Sequence, residues 1–386
     1  MGRPVLRTPL CDLLGIEYPV LSAGMGPVAS GSAPVAVGRL AAAVSNAGGL
    51  GVIGGAGFSP DRLREEIRNI RQMTDKPFGV DLLLPSNYLG GAASGEMPRD
   101  PRDLIPKATY EGLQKIAEDL GVEWKQNPEL ADPTRNRPRG GGMSDGQMEV
   151  VIEEKVPVFA SGLGNPAPWI DRLKANGTKV LALVGNVKNA RRVADAGVDV
   201  VVAQGTEAGG HTGRIATLAL LPQALDAVAP KPVVAAGGIA DGRGLAAVLA
   251  CGAVGAWCGT AFLVADEANQ PEMQKERILA AIDEDTRITR LYSGKTMRNI
   301  TNPLIEAWEA AGFAALPMGL QGVLTSDLMY SIRESGRTEL LMNAAGQASG
   351  LLTKGRPAAE ILHDMVAGAS EILGRKLAQT VTAIPE

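Results

Sequence analysis

One glycine-rich segment near the middle of the chain contains the residue types that proton transfer needs. It spans residues 203–213 and includes His211, one of only two histidines among 386 residues. An imidazole titrates near neutral pH, and the neighbouring Gly209 and Gly210 let the backbone approach a ligand closely. We therefore predict that His211 is the catalytic base. Glu207 is expected either to orient the imidazole or to cap a helix.

Eight short apolar runs, most of them followed by helix-like stretches, organise much of the chain. Near-continuous Val, Ile and Ala strands that alternate with amphipathic helices predict a parallel sheet covered on the outside. Eight such units favour a closed (β/α)8 TIM barrel, whose active site lies at the carboxyl ends of the strands. An open doubly wound sheet is the alternative. The predicted strands are Pro19–Ala23, Leu50–Gly54, Phe78–Leu84, Val156–Ser161, Val180–Val184, Val198–Gln204, Val233–Ala236 and Ala253–Cys258.

Two regions depart from this alternation. Residues 85–148 predict a long insertion after the third strand, with Pro-rich and Gly-rich stretches around an amphipathic segment, Tyr110–Leu120. It is expected on the active-site face, either as a lid or as a disordered surface excursion. Residues 266–386 predict a mainly helical extension that packs beside the barrel, and residues 1–84 and 149–265 form the two parts of the barrel. His363, in a predicted late helix, is expected to be an ordinary helical side chain.

Glycine turns after the last two predicted strands indicate a phosphate site. Ala236 is followed by Gly237 and Gly238, and the final strand leads into Gly259 and Thr260. Backbone N–H groups and the N-terminus of a helix beginning near Asp241 would supply a positive field. FMN fits, because its phosphate could dock there while its ring lies across the barrel mouth. A G-x-G-x-x-G fingerprint opening a βαβ unit is absent from the sequence, which argues against a Rossmann site. A phosphosugar isomerase is the non-redox alternative.

Further residues at predicted strand ends are candidates for contact with such a ring. Ala23, Gly24 and Met25 follow the first strand, and their slim backbone would let a flat ring lie close. Asp81 is a carboxylate inside an otherwise apolar strand and is expected to point into the mouth. Gln204 ends the sixth strand and could exchange hydrogen bonds with the ring.

The composition excludes several other classes. A net charge of -4, with 21% charged residues, leaves no basic footprint for nucleic acid or an anionic membrane. Apolar runs are too short to span a bilayer, and the first fifteen residues resemble no secretion signal. The three cysteines lack metal spacing, and Cys251 and Cys258 are expected in the core. We expect a cytoplasmic protein with a small-molecule substrate and no metal, nucleic acid or membrane partner; a homodimer is left open.

Taken together, these motifs resemble the FMN-dependent nitronate monooxygenases, formerly called 2-nitropropane dioxygenases, and the related FMN-dependent enoyl-ACP reductases of the second type. The resemblance implies a barrel with FMN at its carboxyl-terminal mouth. In it, Gly237, Gly238, Gly259 and Thr260 hold the phosphate, Ala23, Gly24, Met25 and Gln204 lie along the ring, and Gly209 and Gly210 sit beneath it. The matching segments are Ala42–Gly51, Ala203–Gly213, Ala235–Arg243, Gly259–Phe262 and Ala345–Leu351.

The resemblance also implies a reaction. The histidine matching His211 would deprotonate a neutral nitroalkane or position the anionic nitronate, which O2 then oxidises to a carbonyl compound and nitrite. The alternative is an NAD(P)H-dependent FMN reductase of an enoyl thioester carried by ACP or CoA. Three departures bear on this choice. Residues 22–27 replace the Gln-Ala-Pro-Met pattern of the monooxygenases, Asp81 replaces the usual Asn, and the longer insertion suggests a bulkier substrate such as an acyl thioester.

Overall fold

A computed structural model describes residues 5–27, 34–84, 100–130 and 142–382. Eight parallel strands follow one another around a sheet in the order β1-β9-β8-β6-β5-β4-β3-β2. A parallel bridge between Leu21 and Leu50 joins the first and last of these strands, which confirms the predicted (β/α)8 barrel. The strands are β1 Val20–Ser22, β2 Gly51–Gly54, β3 Phe78–Leu84, β4 Val158–Gly164, β5 Lys179–Val184, β6 Val200–Gln204, β7 Gly210–His211, β8 Val233–Ala236, β9 Gly255–Cys258, β10 Thr286–Thr289 and β11 Met297–Ile300.

The helices cover the outside of the barrel and form much of the C-terminal extension. Their sequence signals are local, as in the helix Pro60–Met73, where the Ser59 hydroxyl accepts a hydrogen bond from the Arg62 N–H and Pro60 opens the first turn. The helices are α1 Pro9–Leu14, α2 Gly38–Asn46, α3 Pro60–Met73, α4 Lys107–Asp119, α5 Gly142–Glu153, α6 Ile170–Ala175, α7 Val187–Asp195, α8 Thr217–Val228, α9 Gly242–Ala250, α10 Thr260–Leu263, α11 Glu272–Ala280, α12 Pro303–Ala311, α13 Met318–Glu334, α14 Ala358–Glu371 and α15 Leu377–Thr380.

The side chains of the barrel strands alternate between two apolar clusters, one inside the barrel and one between the sheet and the helices. In β6, Val200 and Val202 lie in the cluster that fills the barrel, whereas Val201 and Ala203 pack outward against the helices. Successive side chains of a strand point to opposite faces, so membership of either cluster tells which face a residue occupies. Both faces of the sheet are therefore buried, which explains the near-continuous apolar runs in the sequence.

Besides the two apolar clusters of the barrel there is a third, here named the second cluster because it lies apart from the barrel core, and it joins the insertion to the C-terminal extension. Leu113 and Ile116 of α4 pack in it with Trp308 of α12 and with Leu324 and Leu328 of α13. The cluster is built from sequence segments about two hundred residues apart, as shown by a hydrogen bond from the Asn127 N–H to Asp327. The other parts of the insertion, residues 85–99 and 131–141, lie outside the described residues, so its role as a lid stays a prediction.

A polar network at the centre of this second cluster fixes the insertion on α13. The Asp327 carboxylate is fully buried and accepts hydrogen bonds from Arg102 Nε at 2.8 Å and Nη2 at 2.9 Å. It also accepts from the Tyr110 hydroxyl and the Asn127 N–H, both at 2.7 Å. Each oxygen of this carboxylate therefore has two donors, as a buried charge requires.

The structure corrects one sequence-based expectation and adds detail to another. Within the mainly helical extension, β10 and β11 form an antiparallel pair whose second strand also pairs with β7. Cys251 is exposed at the C-terminal end of α9, so its placement in the core was wrong, whereas Cys258 is buried in β9 as expected. Among the described residues, none of the helices has the length and apolar sequence that crossing a membrane requires.

Candidate active site

Four of the predicted site residues form the last inward-facing layer at the carboxyl ends of the strands. Ala23 and Ala236 belong to the cluster inside the barrel. Gln204 follows the inward-facing Val202 by two residues and therefore shares its face. Asp81 pairs in register with the inward-facing Ala160. Two alanines and two polar side chains thus surround the mouth of the barrel.

The turn after β8 has the geometry of an open backbone cradle. Gly237 and Gly238 have φ values of 99° and 75°, a region that side chains rarely adopt. A Cβ at Gly237 would stand 2.9 Å from Thr217 Oγ1, whereas one at Gly238 would meet nothing closer than Glu207 Cβ at 3.5 Å. A Cβ at Gly259, after β9, would likewise meet only Ala23 Cβ at 3.6 Å. The two turns therefore leave backbone accessible at the barrel mouth.

Two groups next to this cradle already form hydrogen bonds within the chain. Thr260 Oγ1 accepts a hydrogen bond of 2.9 Å from the Gly346 N–H, which leaves its hydroxyl proton available. The N-terminus of α9 is capped by Asp241, whose Oδ1 accepts from the N–H groups of Arg243 and Gly244 at 2.8 and 3.2 Å. The Asp241 carboxylate thus compensates the positive field that was predicted from the N-terminus of this helix. The cradle therefore consists of the two glycine turns.

Asp81 sits in a tight space beside two glycines. A Cβ at Gly24 would overlap the Asp81 side chain, and one at Gly162 would lie 2.6 Å from Asp81 Oδ1. The carboxyl is 7% exposed, and its burial raises its pKa well above the ordinary value. Oδ1 is buried without a hydrogen-bond partner among the described residues. Met25 is half-buried next to this site, with its carbonyl oxygen against Gly54.

His211 lies at the rim on the short strand β7, which pairs with β11 so that His211 faces Met297 in register. Its Nε2 is 2.9 Å from Ser293 Oγ, and its carbonyl oxygen accepts a hydrogen bond of 2.7 Å from Gln204 Nε2. Burial, together with the positive charge of Lys295, lowers the pKa of His211 to about 4. The imidazole is therefore neutral at neutral pH.

Of the other residues in the 203–213 segment, some pack against neighbouring elements and one lies beside open space. Glu207 caps α8 by accepting hydrogen bonds from the Thr217 N–H at 3.0 Å and the Thr217 hydroxyl at 2.9 Å, so of its two predicted roles the cap is the observed one. Gly209 packs on the backbone of Ala345, which a Cβ would approach to 2.6 Å. Gly210 has a φ of 69°, and apart from its chain neighbours no described residue has an atom within 4 Å of the Cβ position, so Gly210 borders open space in the described structure.

Sequence reasoning missed Ser293 and Lys295, which lie in the turn between β10 and β11. Ser293 is 82 residues from His211, and the expectation of helices in this region gave no reason to place it at the site. Its hydroxyl is also 3.1 Å from Met297 Sδ, an arrangement in which Ser293 donates to the sulfur and accepts from His211 Nε2. The β10–β11 hairpin thus fixes the orientation of the imidazole.

Replacing Ser293 by alanine should therefore loosen His211 without removing it. We expect S293A to lower kcat about tenfold, the equivalent of about 1.4 kcal/mol, with a smaller change in KM. S293T, which keeps a hydroxyl, should restore most of the loss. Steady-state kinetics and the pH profile of the three proteins provide the measurement. Equal kcat in S293A and the wild type would show that the hydrogen bond does not position the ring.

The fold and the site define a TIM-barrel enzyme whose centre lies at the carboxyl ends of the barrel strands. The family profile of the nitronate monooxygenases matches residues 7–368. The chain belongs to the nitronate monooxygenase family, and it is accordingly an oxidoreductase of the flavin-dependent kind.

Relatives and solved structures agree with this membership over nearly the whole chain. A protein of Mycobacterium tuberculosis, provisionally named a monooxygenase, is 38% identical over 96% of this chain and 98% of its own. The nitroalkane oxidase of Streptomyces ansochromogenes has a TM-score of 0.78 at 31% identity, covering 96% of this chain and 99% of its own. FabK of Thermotoga maritima has a TM-score of 0.74 at 34% identity, covering 97% and 100%.

Proposed function

We propose that this protein is an FMN-dependent nitronate monooxygenase that oxidises alkyl nitronates with O2 to carbonyl compounds and nitrite. The observation that carries the proposal is His211, a neutral imidazole held by Ser293 at the rim of the barrel. A phosphosugar isomerase is disfavoured, because the chain belongs to an oxidoreductase family.

The mouth of the barrel suits FMN on two counts. A flat ring can lie against Ala23, Gly24 and Ala236, which present no bulky side chain, while Met25 and Gln204 border the ring. The phosphate would be held by the backbone N–H groups of Gly237, Gly238 and Gly259 and by the Thr260 hydroxyl. Gly210, which borders free space, would lie next to the ring, with Gly209 behind it. When bound, FMN supplies the redox chemistry by taking electrons from the substrate and passing them to O2.

His211 supplies the proton transfer in this proposal. With Ser293 donating its proton to Met297 Sδ, Nε2 donates to Ser293 and Nδ1 keeps the lone pair. Nδ1 then accepts the proton from the carbon next to the nitro group of a neutral nitroalkane. The low pKa keeps the ring unprotonated before the substrate binds, and the nitronate formed beside it would stabilise the imidazolium by ion pairing.

Lys295 would assist with anionic substrates, because it is the charged group whose field reaches His211. Replacing Lys295 by glutamine should raise KM for a nitronate about fivefold, with little change for a neutral nitroalkane. Removing this positive charge should also raise the pKa of His211 from about 4, so the acid limb of kcat/KM would move to higher pH. K295R is the matched control. Steady-state kinetics at two salt concentrations would check both effects, since salt screens an exposed charge.

An oxygen electrode tests the proposed reaction. Purified protein should release FMN on denaturation, and should consume O2 and form nitrite from a nitronate without any pyridine nucleotide. Oxidation of NAD(P)H that depends on an enoyl thioester, with no oxygen uptake from nitronates, would instead support the reductase predicted as the alternative. Cytoplasmic location and a homodimer stay predictions, and NAD(P)H as a reductant belongs to the reductase alternative.

A further inference from the structure

We propose that Asp81 is a neutral carboxylic acid whose hydroxyl donates a hydrogen bond to an acceptor atom of the ring bound at the barrel mouth. This inference rests on the proposed function, and it specifies which group of the chain donates a hydrogen bond to the ring. Three observations on β3 and its neighbours support it.

The position of Asp81 directs its carboxyl into the barrel. Its chain neighbours Val80 and Leu82 belong to the outer cluster, whereas its register partner Ala160 belongs to the inner one. Alternation therefore turns Asp81, the central residue of β3, toward the inside of the barrel. The side chain lies between Gly24 and Gly162, where the absence of a Cβ leaves room for the carboxyl.

The carboxyl lacks the partners that a buried charge requires. Asp81 is only 7% exposed. Its Oδ1 nevertheless has no hydrogen-bond partner among the described residues. An ionised carboxylate in such a place would be strongly disfavoured, whereas a neutral acid needs only one acceptor for its proton. The unpartnered oxygen therefore favours the neutral acid over the carboxylate, and no described residue accepts the proton of that acid.

The neighbouring elements contain no charge that could hold Asp81 ionised. Neither β2 nor β4, the two strands paired with β3, has an ionisable residue, and residues 23–27 after β1 have none. Burial raises the pKa of Asp81, and only the backbone N–H of Gly162 acts in the opposite direction. Within the described part of the chain, the surroundings of Asp81 therefore favour the acid form over the carboxylate.

The proposed role follows from the hydrogen-bond donors that a carboxylic acid and an amide offer. A carboxylic acid offers one O–H donor in the place where an amide would offer an N–H, so the two groups can make the same contact. The negative charge that an aspartate would otherwise bring to the ring is absent in this form. Asp81 would then make at neutral pH the contact that an asparagine could make, and it would lose this contact in alkali.

Two measurements on the full-length chain test this proposal. The infrared difference spectrum between the flavin-free wild type and D81N should show the carbonyl stretch of a protonated carboxyl at neutral pH. Equilibrium dialysis against FMN should give the two proteins dissociation constants within about twofold at neutral pH. Above the pKa of the acid, the wild type should lose affinity about tenfold per pH unit relative to D81N. D81L, which removes the donor without adding charge, should bind FMN about tenfold more weakly while keeping the melting temperature of D81N.

A carboxylate band in place of the protonated carbonyl at neutral pH would overturn the proposal. Binding of FMN by D81N about tenfold more tightly than by the wild type would also overturn it, because that result requires a repelling charge at Asp81. If neither protein bound FMN, the cofactor assignment of the proposed function would fail, and the donor role would fall with it. Equal FMN affinity of D81L and D81N would overturn the donor role alone and leave the cofactor assignment intact.

Discussion

Replacing His211 by asparagine is expected to abolish the oxidation of neutral nitroalkanes while leaving FMN bound. The loss of a general base typically costs about 10²- to 10⁴-fold in rate, and asparagine has no basic nitrogen to replace Nδ1. A nitronate prepared in alkali has already lost its proton, so its oxidation should fall much less. The ratio of the two rates, measured in an oxygen electrode, separates proton transfer from simple positioning.

The other histidine provides the matched control. His363 lies in α14, where its Nε2 is 3.0 Å from the Ala47 carbonyl oxygen, away from the barrel mouth. H363N should therefore keep the same ratio of nitroalkane to nitronate oxidation as the wild type. If H211N slowed both substrates equally, His211 would position the substrate rather than remove its proton.

Replacing Asp327 by alanine is expected to cause the largest loss of stability among the changes considered. This carboxylate is fully buried and holds Arg102, Tyr110 and the Asn127 backbone together. Removing it leaves the Arg102 guanidinium, itself 9% exposed, without its principal counter-charge. Breaking a buried pair in this way costs about 3–5 kcal/mol, which denaturant titration with tryptophan fluorescence would measure.

A surface carboxylate in the same part of the insertion is the control. Asp119 forms an exposed i,i+4 pair with Lys115 on α4, and D119A should change the free energy of unfolding by less than about 0.5 kcal/mol. A similarly small change for D327A would mean that the insertion does not depend on this network for its attachment to α13. Because the network lies in the second cluster, D327A should affect FMN binding less than it affects stability.

The sequence specifies the barrel well, because its signals are local. β3 and β8 have the predicted bounds, Phe78–Leu84 and Val233–Ala236, since apolar runs bounded by proline or glycine define a buried strand. Parallel topology then brings the strand ends together. For this reason the sequence alone could predict that Ala23, Asp81, Gln204 and Ala236 lie near one another. The same reasoning located the glycine turns after the last two barrel strands.

The parts that sequence reasoning missed depend on pairing between distant segments. The two-residue strand Gly210–His211 has no periodicity of its own and exists because β11 pairs with it. Ser293 reaches His211 only through that pairing. The second cluster has the same origin, because Asp327 takes its donors from residues more than 190 positions away. Short strands and buried polar networks of this kind leave no local pattern to recognise.

Flavin reduction in the absence of O2 is the decisive measurement, because it identifies the electron donor. Purified holoenzyme is mixed anaerobically with an alkyl nitronate, and separately with NADH and NADPH, while the visible absorption of the oxidised flavin is followed. The nitronate is expected to remove this absorption within the turnover time, with neither pyridine nucleotide needed. Rapid loss of the absorption with NADH or NADPH, and none with the nitronate, would contradict this expectation.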